Sequence, residues 1–307
     1  MLGVLEGFGI IGAVILVGYL VGRFDVIGER GPHVLSRLVF FVLSPCLLLT
    51  VLADADVHRL FSALFVVTSL AAVAVFAAAA LVLALALRRR MPEALLAAAA
   101  ASYENAGNIG LPVATYVLGN AAYSVPVMLF QLVIFQPLLL AALDTLTGGG
   151  RSLRRILTRP LANPMFIASV IGILIAVTEA PVPDVVLQPF SILGGAAVPL
   201  VLIGFGISLR GPRPLRPGTG RTDVVVASAL KLVAMPAIAW ALGALVFHLD
   251  RADLFAVVLL AGLPSAQNAY VFAQRYGRAL VVVRDTVLVT TIGSVPVLAL
   301  AAWLLAG

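Results

Sequence analysis

The chain has 307 residues, of which 62% are hydrophobic and only 11% are charged. Soluble domains average roughly 45–50% apolar and about 25% charged residues, so this composition excludes a soluble fold and indicates a protein of the lipid bilayer. The formal net charge of +6 would favour nucleic acid as a partner in a soluble protein, but in a membrane protein basic residues report orientation.

Ten apolar runs are each long enough to cross a bilayer, which takes about 20 residues of helix. Numbered as spans 1 to 10, they cover residues 5–22, 35–52, 60–87, 94–119, 121–143, 161–178, 188–209, 224–247, 254–276 and 281–305. The first run lacks the basic flank and cleavage site of a signal peptide, so we expect a true span. The single cysteine, Cys46, lies in span 2, which excludes a disulfide or a thiolate metal site within one chain. The sequence predicts an all-α integral membrane protein of ten transmembrane helices.

The basic residues are distributed unequally between the two ends of these spans. The connections after spans 1, 3, 5, 7 and 9 hold 17 of the 20 Lys and Arg residues, whereas the opposite side holds only Arg59 and Arg251. Short cytoplasmic loops carry an excess of basic residues. The protein is therefore predicted to lie in the cell (inner) membrane with both termini on the non-cytoplasmic side.

The two halves of the chain are candidates for related repeats. Each half holds five spans, and with an odd number the second copy must be inverted in the membrane. Three pairs of prolines recur at similar separations of 154, 152 and 159 residues, and these are Pro45 and Pro199, Pro112 and Pro264, and Pro137 and Pro296. We predict a first five-helix repeat at 1–145, a cytoplasmic linker at 146–160 and a second, inverted repeat at 161–307.

Span 4 contains residues that a continuous helix in lipid avoids. Gly107 and Gly110 let the chain leave helical dihedrals, and Pro112 lacks an N–H and disfavours helix at the residue before it. The pattern predicts two half-helices with an unwound link near the midplane, where the half-helix dipole favours an anion. Asn105 and Asn108 supply neutral donors and acceptors for a carboxylate. The alternative is a proline-kinked helix whose asparagines pack against neighbouring helices.

Span 9 carries a similar interruption in the other half. Gly262 and Pro264 are expected to break the helix, while Ser265, Gln267 and Asn268 supply polar groups. A simple kink with interhelical hydrogen bonds is again the alternative. Two breaks at corresponding places are typical of the binding site of a secondary transporter. If both half-helix starts meet at the midplane, two crossing broken helices, spans 4 and 9, form the site.

Three ionisable side chains lie inside or at the edge of spans, where such groups are functional candidates by default. Glu104 precedes the predicted link of span 4, where burial favours its neutral form and lets it carry a proton; the alternative is a locally hydrated carboxylate without a coupling role. Lys231 is eight residues into span 8 and either snorkels to the cytoplasmic surface or serves as a counter-charge for substrate or for a carboxylate. Asp285 opens span 10 beside Arg284, where a surface ion pair is favoured over a proton relay.

The segments NAGNIGLPVA and LPSAQNAYVFAQRYG resemble the auxin efflux carrier family in its bacterial form, whose members are often described as malate or malonate permeases. The resemblance implies a fold shared with bile-acid:sodium symporters and sodium–proton antiporters. In that fold a transport domain of spans 3–5 and 8–10 moves against a scaffold of spans 1, 2, 6 and 7 in an elevator mechanism, and related folds are often dimers through the scaffold. The crossover asparagines and prolines of the family map onto Asn105, Asn108, Pro112, Pro264 and Asn268. The long cytosolic loop of the plant members is missing here, so regulation through it is not expected.

These features together predict a secondary transporter that moves a small organic anion by alternating access. Dicarboxylates, monocarboxylates, auxin-like acids and amino acids all remain open as substrates. Proton coupling through Glu104, or uniport, is favoured over sodium coupling, because Gln267 and Asn268 stand where the symporters have a carboxylate. A passive channel and a non-transporting sensor are the alternatives from other classes. No enzymatic activity, cofactor, metal or nucleic-acid partner is expected, and the absence of a phosphate-binding loop motif argues against ATP-driven transport by this chain alone.

Overall fold

The structure, a computed structural model, describes residues 2–54, 63–147, 164–208 and 220–305. The predicted linker from residue 148 onward and the basic residues at 151–159 and 210–216 lie outside the described residues. The helices of the described part, labelled to match the predicted spans, are α1 (Leu2–Arg23), α2 (Gly31–Ala53), α3 (Ala63–Ala86), α4a (Met91–Ser102), α4b (Ala106–Gly110 continued by Leu111–Tyr116), α5 (Ala121–Leu146), α6 (Pro164–Thr178), α7 (Asp184–Gly195 and Ala197–Ser208), α8 (Arg221–Val246), α9a (Arg251–Ala261), α9b (Gln267–Tyr276) and α10 (Leu280–Leu305).

The described residues form an all-helical membrane protein, as predicted. Six of their helices are long and apolar enough to cross a membrane, namely α2, α3, α5, α7, α8 and α10. Shorter apolar helices lie at Gly9–Arg23 within α1, at α4a and at α6. Large apolar side chains such as Leu85 and Trp303 are exposed on helix surfaces, which suits contact with lipid rather than with water. The arrangement of ten spans in two inverted repeats stays a prediction.

Three of the long helices contain a π-helical turn just before a proline. The turns are Val39–Leu43 in α2, Phe130–Phe135 in α5 and Leu230–Ala234 in α8, and prolines follow at positions 45, 137 and 236. A proline cannot donate to the carbonyl four residues back, and a wider turn lets the helix continue past it. Such turns change the direction of nearby side chains, and two of them carry polar residues of the site.

Glycines bring the backbones of α1, α2, α6 and α7 into close contact. A Cβ atom at Gly206 of α7 would overlap the backbone of α1, and one at Gly18 of α1 would overlap the backbone of α7. Gly172 of α6 and Gly194 of α7 lie equally close to α2. A Cβ atom at Gly172 would be 2.8 Å from the Leu49 carbonyl oxygen, and one at Gly194 would be 2.8 Å from the Cα of Leu47. Small residues of this kind are how helices in lipid pack tightly.

The connection between α3 and α4a has the same backbone course as the connection between α8 and α9a, 160 residues later. Each leaves its helix through a π-helical turn and then places a non-glycine residue at positive φ, Arg88 at 53° and His248 at 48°. In each, the next residue donates its N–H to the carbonyl six positions back, over 2.9 and 2.8 Å. The two half-helices α4a and α9a therefore follow connections of the same backbone course.

Candidate functional site

The interruptions of α4 and α9 lie against each other and are joined by backbone hydrogen bonds. The N–H of Asn105 donates to the carbonyl of Pro264 over 2.9 Å, and the N–H of Ala266 donates to the carbonyl of Tyr103 over 2.8 Å. The four groups form one antiparallel bridge. Unwound backbone inside a membrane needs partners because lipid offers none. Each link supplies them for the other.

The break in α4 lies upstream of the residues that were predicted to cause it. The unwound residues are 103–105, whereas Gly107 and Gly110 lie inside the π-helical turn that opens α4b. Pro112 is in the first turn of the helix that follows, where the missing N–H costs little. Gly107, Gly110 and Pro112 were predicted to shape the break, and they lie in α4b, on the C-terminal side of the unwound residues.

Asn105 explains why a new helix begins where it does. Its side-chain oxygen accepts a hydrogen bond from the N–H of Asn108 over 3.2 Å, and its carbonyl accepts bonds from Ile109 and Gly110 over 3.0 and 2.9 Å. An asparagine in this role satisfies amides at a helix start that have no intrahelical partner. Asn105 thus ends the link and caps α4b.

The break in α9 follows the predicted residues more closely. Gly262 is the C-cap of α9a, and Pro264 lies in the link, where it has no N–H to continue the helix. A Cβ at Gly262 would sit 3.3 Å from Leu298 of α10, so this glycine also permits close packing. Because Pro264 lies in a link and Pro112 in a helix, the two prolines do not occupy equivalent positions.

A cavity lies beside the crossing. Its polar lining includes Asn105 and Asn108 from α4, and Gln267 and Asn268 from α9. The structure therefore brings four of the five predicted substrate contacts together. The remaining lining residues come from α2, α4, α5, α6 and α9, and they are Phe40, Ser44, Tyr103, Glu104, Gly107, Met128, Gln131, Leu132, Met165 and Ala266.

Ser265, the fifth predicted contact, faces away from this cavity. Its hydroxyl donates to the carbonyl of Ala100 over 2.5 Å, and its N–H donates to the hydroxyl of Thr290 over 3.1 Å. The side chain is fully buried. Ser265 therefore joins the link of α9 to α4a and α10 through hydrogen bonds.

Glu104 is 1% exposed and lies among the residues that line the cavity. Its Oε2 accepts a hydrogen bond from Nε2 of Gln131 over 2.6 Å. Gln131 comes from the π-helical turn of α5 and was not among the predicted site residues. The available signal was a glutamine in the middle of an apolar span, where a polar side chain needs a partner. Its partner is the candidate coupling acid.

Lys231 is placed behind the crossing and does not line the cavity. It is 0% exposed, which rules out the snorkelling alternative. Its Nζ donates to the carbonyl of Ala261, the last residue of α9a, over 2.7 Å. Ala261 is four residues before Ser265, which is bridged to Glu104. The position fits the second reading of Lys231, a counter-charge for a carboxylate.

Asp285 is the third ionisable candidate, and it lies apart from the cavity. It pairs with its neighbour Arg284, whose Nη2 is 2.7 Å from Oδ1 of Asp285. An ion pair at the surface was favoured; the pair is present, but its Asp285 side chain is fully buried rather than at the surface. Among the described residues, no group of three or more His, Cys, Asp or Glu side chains is arranged to hold a metal ion.

Tyr103 closes one wall of the cavity and was missed by sequence reasoning. Its ring is 2% exposed and makes edge contacts with Phe135 and Phe272, at centroid distances of 5.6 and 5.9 Å. Its hydroxyl donates to Oε1 of Gln136 over 3.3 Å. Amide-bearing starts of two half-helices, one carboxyl group and an aromatic wall together suit a small polar ligand that carries negative charge.

Comparisons of the sequence with known proteins identify transporters as its relatives. The family model described as membrane transport protein matches residues 9–143 and 151–302. A protein of Rhizobium meliloti (strain 1021), named provisionally as a malonate transporter, is 29% identical over an alignment of 307 positions that covers 95% of this chain and 91% of the relative. An uncharacterized transporter of Methanothermobacter thermautotrophicus is 28% identical, with 84% of each chain covered. An uncharacterized transporter of Methanocaldococcus jannaschii is 24% identical, with 66% of this chain and 65% of the relative covered.

The family match extends over both halves of the chain and includes both crossing segments. The resemblance to auxin efflux carriers is confirmed by this match. The relatives carry the names of transporters, and none of the three is named as an enzyme. The chain belongs to the membrane transport protein family, and it is a multi-pass membrane protein of that family.

Proposed function

We propose that this protein is a secondary transporter that binds a small organic anion in the cavity beside the crossing and moves it by alternating access. The observation that carries the proposal is that this cavity is lined by both interrupted segments. Binding sites of transporters with broken helices lie at such crossings. Asn105, Asn108, Gln267 and Asn268 would hold the substrate through side-chain amides and the amides of the first helical turns.

The proposal includes ten membrane helices in two inverted repeats, 1–145 and 161–307, joined by a cytoplasmic linker. The shared backbone course of the connections at Arg88 and His248 supports the relation between the halves. The close glycine packing among α1, α2, α6 and α7 supports their role as a scaffold. In this proposal the protein lies in the cell membrane with both termini outside, and the scaffold is also the surface for a homodimer.

The charge around the cavity favours proton coupling or uniport. Glu104 is the one charged side chain among the described residues that line it. A carboxylate substrate would bring a second negative charge close to Glu104, and two neighbouring carboxylates do not both ionise readily. A proton taken up with the substrate would remove that repulsion. Sodium coupling is the alternative.

The relative named for malonate makes a dicarboxylate the first substrate to test. The direct test is uptake of radiolabelled malonate into proteoliposomes, with counterflow to distinguish a carrier from a channel. Asn108→Ala and Asn268→Ala should each lower uptake at least about tenfold, which corresponds to about 1.4 kcal/mol. Each variant removes one exposed amide of the cavity.

A matched control is Gln188→Ala, which removes an exposed amide on α7 away from the cavity. It should transport as the wild type does. Near wild-type uptake in both asparagine variants, at equal protein abundance, would contradict the site assignment. Loss of uptake on replacing external sodium at constant pH would favour the sodium-coupled alternative.

A further inference from the structure

The C-terminal end of α9a lies inside the protein, at the crossing. The last carbonyl groups of a helix have no intrahelical partner and carry partial negative charge. In transporters with broken helices, such ends are where a sodium ion is coordinated. Here the carbonyl of Ala261 accepts a hydrogen bond from Lys231 Nζ over 2.7 Å. An ammonium group thus contacts the carbonyl end of α9a.

A lysine at position 231 is unusual for this chain. Lys231 is the only lysine in the sequence, and the other 19 basic residues are all arginine. An ammonium group is a compact point charge, whereas a guanidinium group is a broad planar fork. Lys231 is also fully buried and comes from the π-helical turn Leu230–Ala234 of α8. Its second partner is Sδ of Met235, at 3.1 Å.

The charges on both sides of the crossing balance each other. Glu104 is 1% exposed on the link of α4 and is bridged to Ser265, four residues beyond the Ala261 carbonyl that Lys231 contacts. A buried carboxylate without a compensating cation would be strongly destabilising. Lys231 does not line the cavity, and its ammonium group contacts the end of α9a. It acts as a positioning residue.

We propose that the Lys231 ammonium is a built-in cation that takes the place of sodium at the crossing. It holds the end of α9a and compensates Glu104, so that the site is assembled without an inorganic cation. This proposal also implies that transport is independent of sodium, and that consequence rests on the proposed function. The presence of the Lys231 ammonium at the cation position does not depend on transport, and it can be tested on the purified protein alone.

The test is thermal unfolding of purified Lys231→Ala in sodium, potassium and choline chloride at equal ionic strength. The wild type should unfold at the same temperature in all three salts. In choline, Lys231→Ala should unfold about 10 °C lower than the wild type, because a buried carboxylate has lost its partner. Sodium should recover several degrees of that loss by binding in the vacated position, with the recovery rising with concentration.

The matched control is Arg89→Ala, which removes the cation of the partly exposed pair with Asp223, 2.9 Å long. The unfolding temperature of Arg89→Ala should be the same in all three salts. Equal unfolding temperatures of Lys231→Ala in sodium and choline would overturn the proposal, as would a sodium-specific stabilisation of the wild type.

If Lys231→Ala does not yield folded protein, a second pair of variants tests the same proposal. Lys231→Met combined with Glu104→Gln removes both charges, and it should restore the folded yield that Lys231→Met alone loses. Failure of the second substitution to restore that yield overturns the proposal. Absence of malonate uptake by the wild type would speak against the proposed function and leave the thermal result standing.

Discussion

The two interrupted helices are joined by equivalent backbone bonds and yet differ in the chemistry around them. The link of α4 carries an acid, Glu104, and ends in a capping asparagine, Asn105. The link of α9 carries Pro264, and the helix before it ends on the ammonium group of Lys231. The negative charge therefore belongs to one half of the chain and the positive charge to the other. The crossing therefore brings together an acid and a base from different halves of the chain.

The largest expected effect comes from removing the acid. Glu104→Gln leaves Lys231 without its carboxylate, and we expect a loss of about 3–5 kcal/mol of stability. Uptake should fall and lose its response to external pH. Thermal unfolding and malonate uptake across pH measure the two effects. The control is Glu93→Gln, because Glu93 forms a half-exposed pair with Arg278 at 3.6 Å, worth at most about 1 kcal/mol. Uptake by Glu104→Gln that still follows pH as in the wild type would refute a coupling role.

The two prolines offer a second way to sharpen the comparison. Pro264→Ala restores an N–H in the link and allows α9a to continue as a helix, at the expense of the bridge to Asn105. We expect uptake to fall about tenfold, or roughly 1.4 kcal/mol. Pro112→Ala changes the first turn of a helix, where proline is well tolerated, and should change uptake less than twofold. Equal effects of the two substitutions in the same uptake assay would show that the proline in the link has no special role.

The smallest expected effects distinguish the two glycines of α4b. A Cβ at Gly110 would lie 3.0 Å from Leu263 and 3.1 Å from Ser124, so Gly110→Ala should destabilise the protein by about 1 kcal/mol. A Cβ at Gly107 would meet nothing closer than 3.8 Å, and Gly107→Ala should keep the stability while raising the KM for malonate, because it narrows the cavity. Unfolding temperatures and uptake kinetics test both. A lower unfolding temperature for Gly107→Ala than for Gly110→Ala would contradict the close packing around Gly110.

The sequence predicted that two helices are interrupted and that amides gather between them. This was possible because glycine, proline and asparagine inside apolar spans violate local helix preferences. The position of the first break was not predictable in the same way. It is set by Asn105 as a cap and by hydrogen bonds to Pro264, which is remote in sequence. Local residue types indicate that a helix breaks, but the partner segment determines where.

Side-chain direction was the other limit of sequence reasoning. Ser265 and Gln267 are two residues apart in a polar segment, and the sequence gives no reason to treat them differently. The structure turns Ser265 toward Ala100 and leaves Gln267 on the cavity. Gln131 was missed for a related reason, because its partner Glu104 lies 27 residues earlier on another helix. Contacts of this kind follow from the packing of helices and not from spacing along the chain.

The bridge between the links is made of main-chain atoms alone, and this has a consequence for the evolution of substrate preference. The N–H and C=O groups that join Asn105 to Pro264 and Ala266 to Tyr103 are present whatever the side chains are, apart from the proline nitrogen. Side chains on the cavity side, such as Gln267 and Asn268, can therefore be exchanged without loosening the frame that presents them. A frame of this kind can accommodate new substrates by point substitution, in the way that an antibody framework tolerates changes in its loops.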